Sequence, residues 1–261
     1  RAIEGLRISF ITNAVLLDHH LDKLKHPGLD IAISMDGASE ATYGYFRGAD
    51  FFDQVVANLR LLRERELAGT LPASTRTFIV VLSRINVHEM PAIVELAAEL
   101  GIKLVVYSFQ VFFNADRFRH ESLFFARELY DRWLREAVRR AAELGVQLLH
   151  PDAFDGSVRI PPEHAPKSWL WRDEHGRTRC GVIYSNCYVK FHGQVEACCV
   201  PDRYPLGDLN ADSFLDIWHG PYYRRLRQSF LTGHWTPTCQ NCNLFQSVDV
   251  SMPQSHYLTP L

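Results

Sequence analysis

The sequence predicts an α/β fold followed by a small cysteine-rich α+β domain, and three observations carry that expectation. Over residues 1–150, short β-branched runs alternate with amphipathic helical stretches, the pattern of strand–helix units in a parallel sheet or part of a β/α barrel. Between Pro151 and Arg179 the alternation stops and Pro, His, Asp and Trp crowd around Pro161-Pro162, which reads as a linker. All six cysteines then fall between Cys180 and Cys242. The expected domains are therefore 1–150, a linker at 151–179, and a cysteine domain at 180–261.

Leu6–Ile11 reads as the first strand, Thr12-Asn13-Ala14 as a turn, and Val15–Leu24 as a short helix stopped by Pro27-Gly28. Asp30–Met35 is a second strand, followed by the turn Asp36-Gly37-Ala38-Ser39, where Glu40 suits a helix first turn. In Phe51–Arg65 the apolar residues Phe52, Val55, Val56, Leu59 and Leu62 recur at helical spacing. Thr77–Leu82 and Lys103–Tyr107 are the next strands, separated by a helix over His88–Leu100 that Gly101 closes. A longer helix is expected over Glu121–Leu144, with a further strand at Val146–Leu149. Beyond the linker, Tyr188–Phe191 and Gln194–Ala197 form a hairpin around His192-Gly193. Ser213–Leu231 reads as one amphipathic helix, capped by Asp212 or Ser213, with Phe214 and Trp218 on its core face.

Composition narrows the function. A formal net charge of −2 argues against nucleic acid or an anionic membrane as the main partner. No run of about eighteen apolar residues could span a bilayer, and no apolar signal stretch opens the chain. With 261 residues the chain buries a full core without disulfide staples, which favours a reducing, cytoplasmic setting. There is no G-x-S-x-G, P-loop or dinucleotide fingerprint, and the twelve histidines show no H-x3-H or H-E-x2-H pairing.

The cysteines point to a metal. Cys180, Gly193 and Cys198 give C-x12-G-x4-C, and Cys239 and Cys242 follow as a CxxC. Two thiolate-bearing segments of this kind suit a tetrahedral metal or an iron–sulfur cluster, and spacing alone leaves zinc open. Cys187 and Cys199 have no assigned role, although Cys199 is able to exchange roles with Cys198, since neighbours on a hairpin face opposite ways.

With these residues in view, the chain resembles the radical S-adenosylmethionine (radical SAM) enzymes that carry a C-terminal SPASM or twitch-type extension. The segment from Cys180 to Cys199 looks like that extension's cysteine hairpin, with His192 in place of the usual Asp, and Leu206–Asn210, Phe214–Trp218 and Cys239–Cys242 continue it. Ile33–Gly37 with Phe46-Arg47-Gly48 is similar to the S-x-D-G…R-G stretch of the family barrel, and Thr12-Asn13-Ala14 to its T-N-G turn. The resemblance implies strands three to six of a partial (β/α)6 barrel, followed by a SPASM-like domain. The family's catalytic CxxxCxxC loop is not in this chain, so the N-terminal part of the parent protein is expected to be missing from it.

The resemblance also implies roles. Ser34 would hydrogen-bond the methionyl part of SAM, Arg47 would pair with its carboxylate, and Asp36 and Asn13 would belong to the same cofactor site. Asn86, after the next strand, is a weaker counterpart. Cys180, Cys198, Cys239 and Cys242 would hold one auxiliary 4Fe–4S cluster. The implied reaction is hydrogen abstraction by a 5′-deoxyadenosyl radical from a peptide or small metabolite, fed by an external electron donor. A second reading, from another class, is a non-catalytic metal-binding scaffold that binds a peptide through a degenerate barrel and a structural zinc or cluster domain. A third is a zinc-ribbon module fused to a flavodoxin-like domain.

Overall fold

The computed structural model describes residues 7–110, 115–160, 170–172, 174–175, 178–198, 205–235 and 239. The chain divides into two compact units, Arg1–Ala165 and Pro166–Ser255. In the first, β1 (Ile8–Thr12), β2 (Leu29–Ser34), α1 (Glu40–Arg47), α2 (Phe52–Leu67), β3 (Thr75–Leu82), α3 (Met90–Glu99) and β4 (Leu104–Phe109) are followed by α4 (Ala115–Glu121), α5 (Arg127–Leu144) and β5 (Gln147–Leu149).

The five strands form one parallel sheet in the order β1-β2-β3-β4-β5. A doubly wound sheet reverses its order at a switch point; this sheet never does, so it is wound in one direction as a barrel wall is. Burial follows that winding. Along β2, Leu29, Ile31 and Ile33 are buried while Asp30, Ala32 and Ser34 are half-exposed. Ile33 lies in register beside Phe78, and Phe78 beside Val105; all three are buried in one core with Leu59 of α2, Ile93 of α3 and Leu134 of α5. The opposite face carries the register row Ser34, Ile79, Val106 and Leu149, each half-buried. One face is thus sealed by helices and the other left partly open.

Residues 151–158 pack onto this unit. Asp131 accepts the N–H groups of Phe154 and Asp155 at 2.7 and 3.1 Å, and the Phe154 ring stacks on Phe109.

Three expected elements differ. Val15–Leu24 is a 3-10 turn over Asp18–Lys23 rather than an α-helix: Ala14 enters it with φ 59°, and Leu16 is 58% exposed. The long helix over Glu121–Leu144 is two, α4 and α5, because Ser122 turns extended and caps a 3-10 turn at Leu123–Phe125. In the second unit, Ser213–Leu231 is also two helices. Gly220 is extended and Pro221, which has no N–H to donate, starts a new helix.

That second unit contains the hairpin β6 (Leu170–Arg172) and β7 (Thr178–Cys180), then α6 (Val182–Ser185), β8 (Tyr188–Val189), β9 (Gln194–Glu196), β10 (Gly207–Asp208), α7 (Phe214–Trp218) and α8 (Pro221–Thr232). Strands β10-β9-β8 make an antiparallel sheet. Its turn favours Gly193 because φ is 94° there, a left-handed conformation that side chains rarely adopt, and a Cβ would also crowd Asn210 Nδ2 at 2.3 Å. Ser213 caps α7 by accepting the Asp216 N–H at 3.2 Å. The buried residue of α7 is Ile217; Phe214, expected on the core face, is 42% exposed and stacks on Trp218.

Candidate cofactor site and cysteine centre

The C-terminal ends of β2 and β3 are tied together by side chains. Asp36, two residues beyond β2 and 4% exposed, accepts the Val81 N–H through Oδ1 at 2.9 Å and pairs through Oδ2 with the Arg47 guanidinium. Its main-chain carbonyl accepts from Asn86 Nδ2 at 2.8 Å; the same nitrogen donates to the Val81 carbonyl, and Asn86 Oδ1 accepts the Ser83 N–H. Burial pushes the Asp36 carboxyl above its ordinary pKa, against the lowering pull of the Val81 N–H and Arg47. Gly37 follows, and a Cβ there would stand 2.7 Å from the Tyr43 nitrogen, so its bareness lets α1 dock.

Helix α1 carries Arg47 as its last residue, ahead of Gly48 at φ 70°. Its start is held from fifty residues downstream. Glu89 accepts the Ala38 N–H at 2.6 Å and the hydroxyls of Ser39 and Thr42 at 2.6 and 2.8 Å, while Ser39 caps the helix on the Thr42 N–H. Sequence reasoning missed Glu89, because its partners are distant in the chain. Each hydrogen bond to a charged acceptor contributes about 1.5–3 kcal/mol. Glu89→Ala leaves three donors unmet, and a loss of about 3 kcal/mol is expected, read as a lower urea midpoint at unchanged slope. An unchanged midpoint would remove Glu89 from this role.

The predicted cofactor residues are brought together unequally. Asp36 and Arg47 touch. Ser34 is half-buried on the open face of β2. Thr12 lies beside Ile33, which puts Asn13 and Ser34 at the same end of the sheet. Asn13 is exposed and its Oδ1 accepts the Val15 N–H at 3.2 Å, the work of a turn residue. Ala14 sits left-handed and fully buried, with its carbonyl held by Asn58 Nδ2 at 2.9 Å.

In the second unit, Cys180 and Cys239 pack against Ile183, Leu226 and Phe230, and Cys187 packs against Val195, Ile217 and Tyr223. Ala197 and Leu206 touch both groups, so the two clusters adjoin. Cys198 is half-buried, two residues past β9. Cys199 and Cys242 lie outside the described residues, within which no three His, Cys, Asp or Glu side chains gather closely enough to hold a metal. The donor chemistry nevertheless suits an iron–sulfur cluster: soft sulfur in apolar surroundings, beside the buried Tyr223 hydroxyl, which has no hydrogen-bond partner among the described residues. Burial, reinforced by the sulfur of Cys187, pushes that hydroxyl up to about 12, so it is a donor at neutral pH; burial also raises the Cys187 thiol.

Residues 1–97 match the radical SAM superfamily, and residues 180–243 match SPASM, an iron–sulfur cluster-binding domain. The chain joins a radical SAM segment to a SPASM segment. The radical SAM segment holds Asn13, Ser34, Asp36, Arg47 and Glu89, and the SPASM segment holds every cysteine. Mycofactocin maturase MftC of Mycolicibacterium smegmatis is 27% identical over 226 residues, which is 84% of this chain and 51% of that protein. Streptococcus suis SuiB bound to S-adenosylmethionine has the same fold, with TM-score 0.53 at 12% identity, over 98% of this chain and 59% of SuiB. Native anSMEcpe with bound AdoMet gives 0.52 at 16% identity, over 92% of this chain and 63% of its own. The chain spans about half the length of the curated relative it matches. Among the described residues no helix is long and apolar enough to cross a membrane.

Proposed function

We propose that this chain supplies the cofactor-orienting wall and the auxiliary-cluster domain of a radical SAM enzyme that modifies a peptide in a reducing, cytoplasmic compartment. The observation that carries the reading is the Asp36–Arg47 pair at the open end of the radical SAM sheet. Arg47 presents a guanidinium suited to a carboxylate, Ser34 a hydroxyl, and Asp36 holds Arg47 without facing the ligand itself, since both its oxygens are engaged. Asn13 closes the same end. When bound, SAM and its reducing cluster supply a hydrogen-abstracting radical, with electrons from an external donor. Cys180, Cys198, Cys239 and Cys242 hold one 4Fe–4S cluster, which suits electron transfer or substrate anchoring. A peptide substrate is favoured over a small metabolite because the relatives include a maturase, SuiB bound to the precursor peptide SuiA, and anSMEcpe with a Kp18Cys peptide.

The test is reductive SAM cleavage by the anaerobically prepared whole protein. Formation of 5′-deoxyadenosine is expected, and Arg47→Ala should raise the KM for SAM about tenfold or more, the equivalent of one lost charge-assisted contact. Zinc in place of iron, with no cleavage, would leave the non-catalytic scaffold standing.

A further inference from the structure

Two donors on α8 of the SPASM segment have no partner among the described residues. The Tyr223 hydroxyl, on a residue with 0% exposure, and Nη2 of Arg227 are buried without a hydrogen bond. They stand four residues apart, hence on one face of the helix. Buried donors are nearly always satisfied, so two unmet ones side by side mark an acceptor that the described residues do not provide.

The rest of Arg227 is fixed. Its Nε donates to the Ile183 carbonyl at 3.1 Å and Nη1 to the Trp218 carbonyl at 2.9 Å. The guanidinium lies 4.4 Å from the ring centroid of Trp218, 4.8 Å from that of Tyr223 and 5.7 Å from that of Tyr184. Carbonyls and ring faces hold a cation without neutralising it, and among the described residues no carboxylate pairs with Arg227. Sulfur is what stands nearby. Cys187 packs in one cluster with Tyr223, and Cys198 follows β9, whose Val195 belongs to that same cluster.

We propose that Tyr223 and Arg227 are the donor pair of the auxiliary cluster: the hydroxyl hydrogen-bonds cluster sulfur on the Cys187–Cys198 side, and the guanidinium sets a fixed positive charge behind it. The inference rests on the cluster reading above. A cluster with four thiolates is anionic and becomes more so on reduction, so a hydrogen bond to sulfur and a neighbouring cation both favour the reduced form and raise the reduction potential.

The test is a redox titration of the iron-loaded whole protein followed by electron paramagnetic resonance, reading the signal that added SAM leaves unchanged. Tyr223→Phe keeps the ring and removes only the O–H; Arg227→Met keeps the stem and removes the charge. Each variant is expected to keep its iron while its midpoint potential falls, the double variant falling furthest. Wild-type potentials at full iron content would overturn the pairing while leaving the cluster in place. Iron lost from Tyr223→Phe would make the tyrosine a structural support and overturn it as well. Wild-type protein without iron would sink the cluster reading, and this inference with it. Should Arg227→Met fail to fold, Tyr223→Phe decides alone.

Discussion

Replacing Cys239 and Cys242 together with alanine should strip about four irons per chain from anaerobically prepared protein, because a 4Fe–4S unit needs four thiolates and only two of the proposed set would be left. Cys239 shares its apolar surroundings with Cys180, so the loss is expected equally from Cys180→Ala. Cys187→Ala is the contrast. That residue fills space between Val195, Ile217 and Tyr223, and its replacement should keep the iron and cost about 1 kcal/mol of stability as a lost buried group. Iron and sulfide analysis checks all three variants. Full iron in the double variant would move the ligand assignment away from the CxxC.

The second large effect is at Asp36. Removing one partner of a buried ion pair costs about 3–5 kcal/mol, and the lower figure is expected for Asp36→Ala because the Arg47 side chain is 28% exposed and keeps access to water. The Val81 N–H also loses its acceptor. Thermal or urea unfolding reads the loss, and a shift under about 1 kcal/mol would contradict it. Asparagine at this position separates charge from shape. The folded-state pKa of Asp36 is raised, mainly by burial, so the folded protein binds this proton more tightly than the unfolded chain. Its contribution therefore improves as pH falls through the folded value toward the ordinary carboxylate range, and the advantage of wild type over Asp36→Asn should grow in that window. A gap that is constant with pH would mean that Asp36 titrates as an unperturbed carboxylate.

Much of this was legible in the chain. Runs such as Thr77–Leu82 are apolar on both faces and read as central parallel strands, and the placement of all six cysteines in one segment marked its chemistry. Local signals failed where a single residue overruled periodicity. Ala14 in the left-handed region cut the first helix short, and Gly220-Pro221 cut the last one in two although the apolar stripe continued past it. The cofactor end was half visible: Ser34, Asp36 and Arg47 stand in a recognisable motif, but that Asp36 spends both oxygens on Val81 and Arg47 is a tertiary fact. Glu89 was beyond reach for the same reason, and Asn86 stood out only as a weak counterpart, since their partners lie about fifty residues away. Tyr223 and Arg227 looked like ordinary members of an amphipathic helix until their unmet donors could be counted.

Strand order has a further consequence, for how the first unit is built. Among the described residues each strand of the sheet pairs only with those next to it in the chain, so each strand–helix repeat docks on an edge formed by the segment before it. Within β1–β5 no early strand waits for a late one to be inserted beside it. Such a sheet lengthens as polypeptide leaves the ribosome, and the loop closed at each step is short. The end of β2 that carries Ser34 and Asp36 is accordingly fixed once β3 arrives with Val81 and Asn86, well before α5 completes the core.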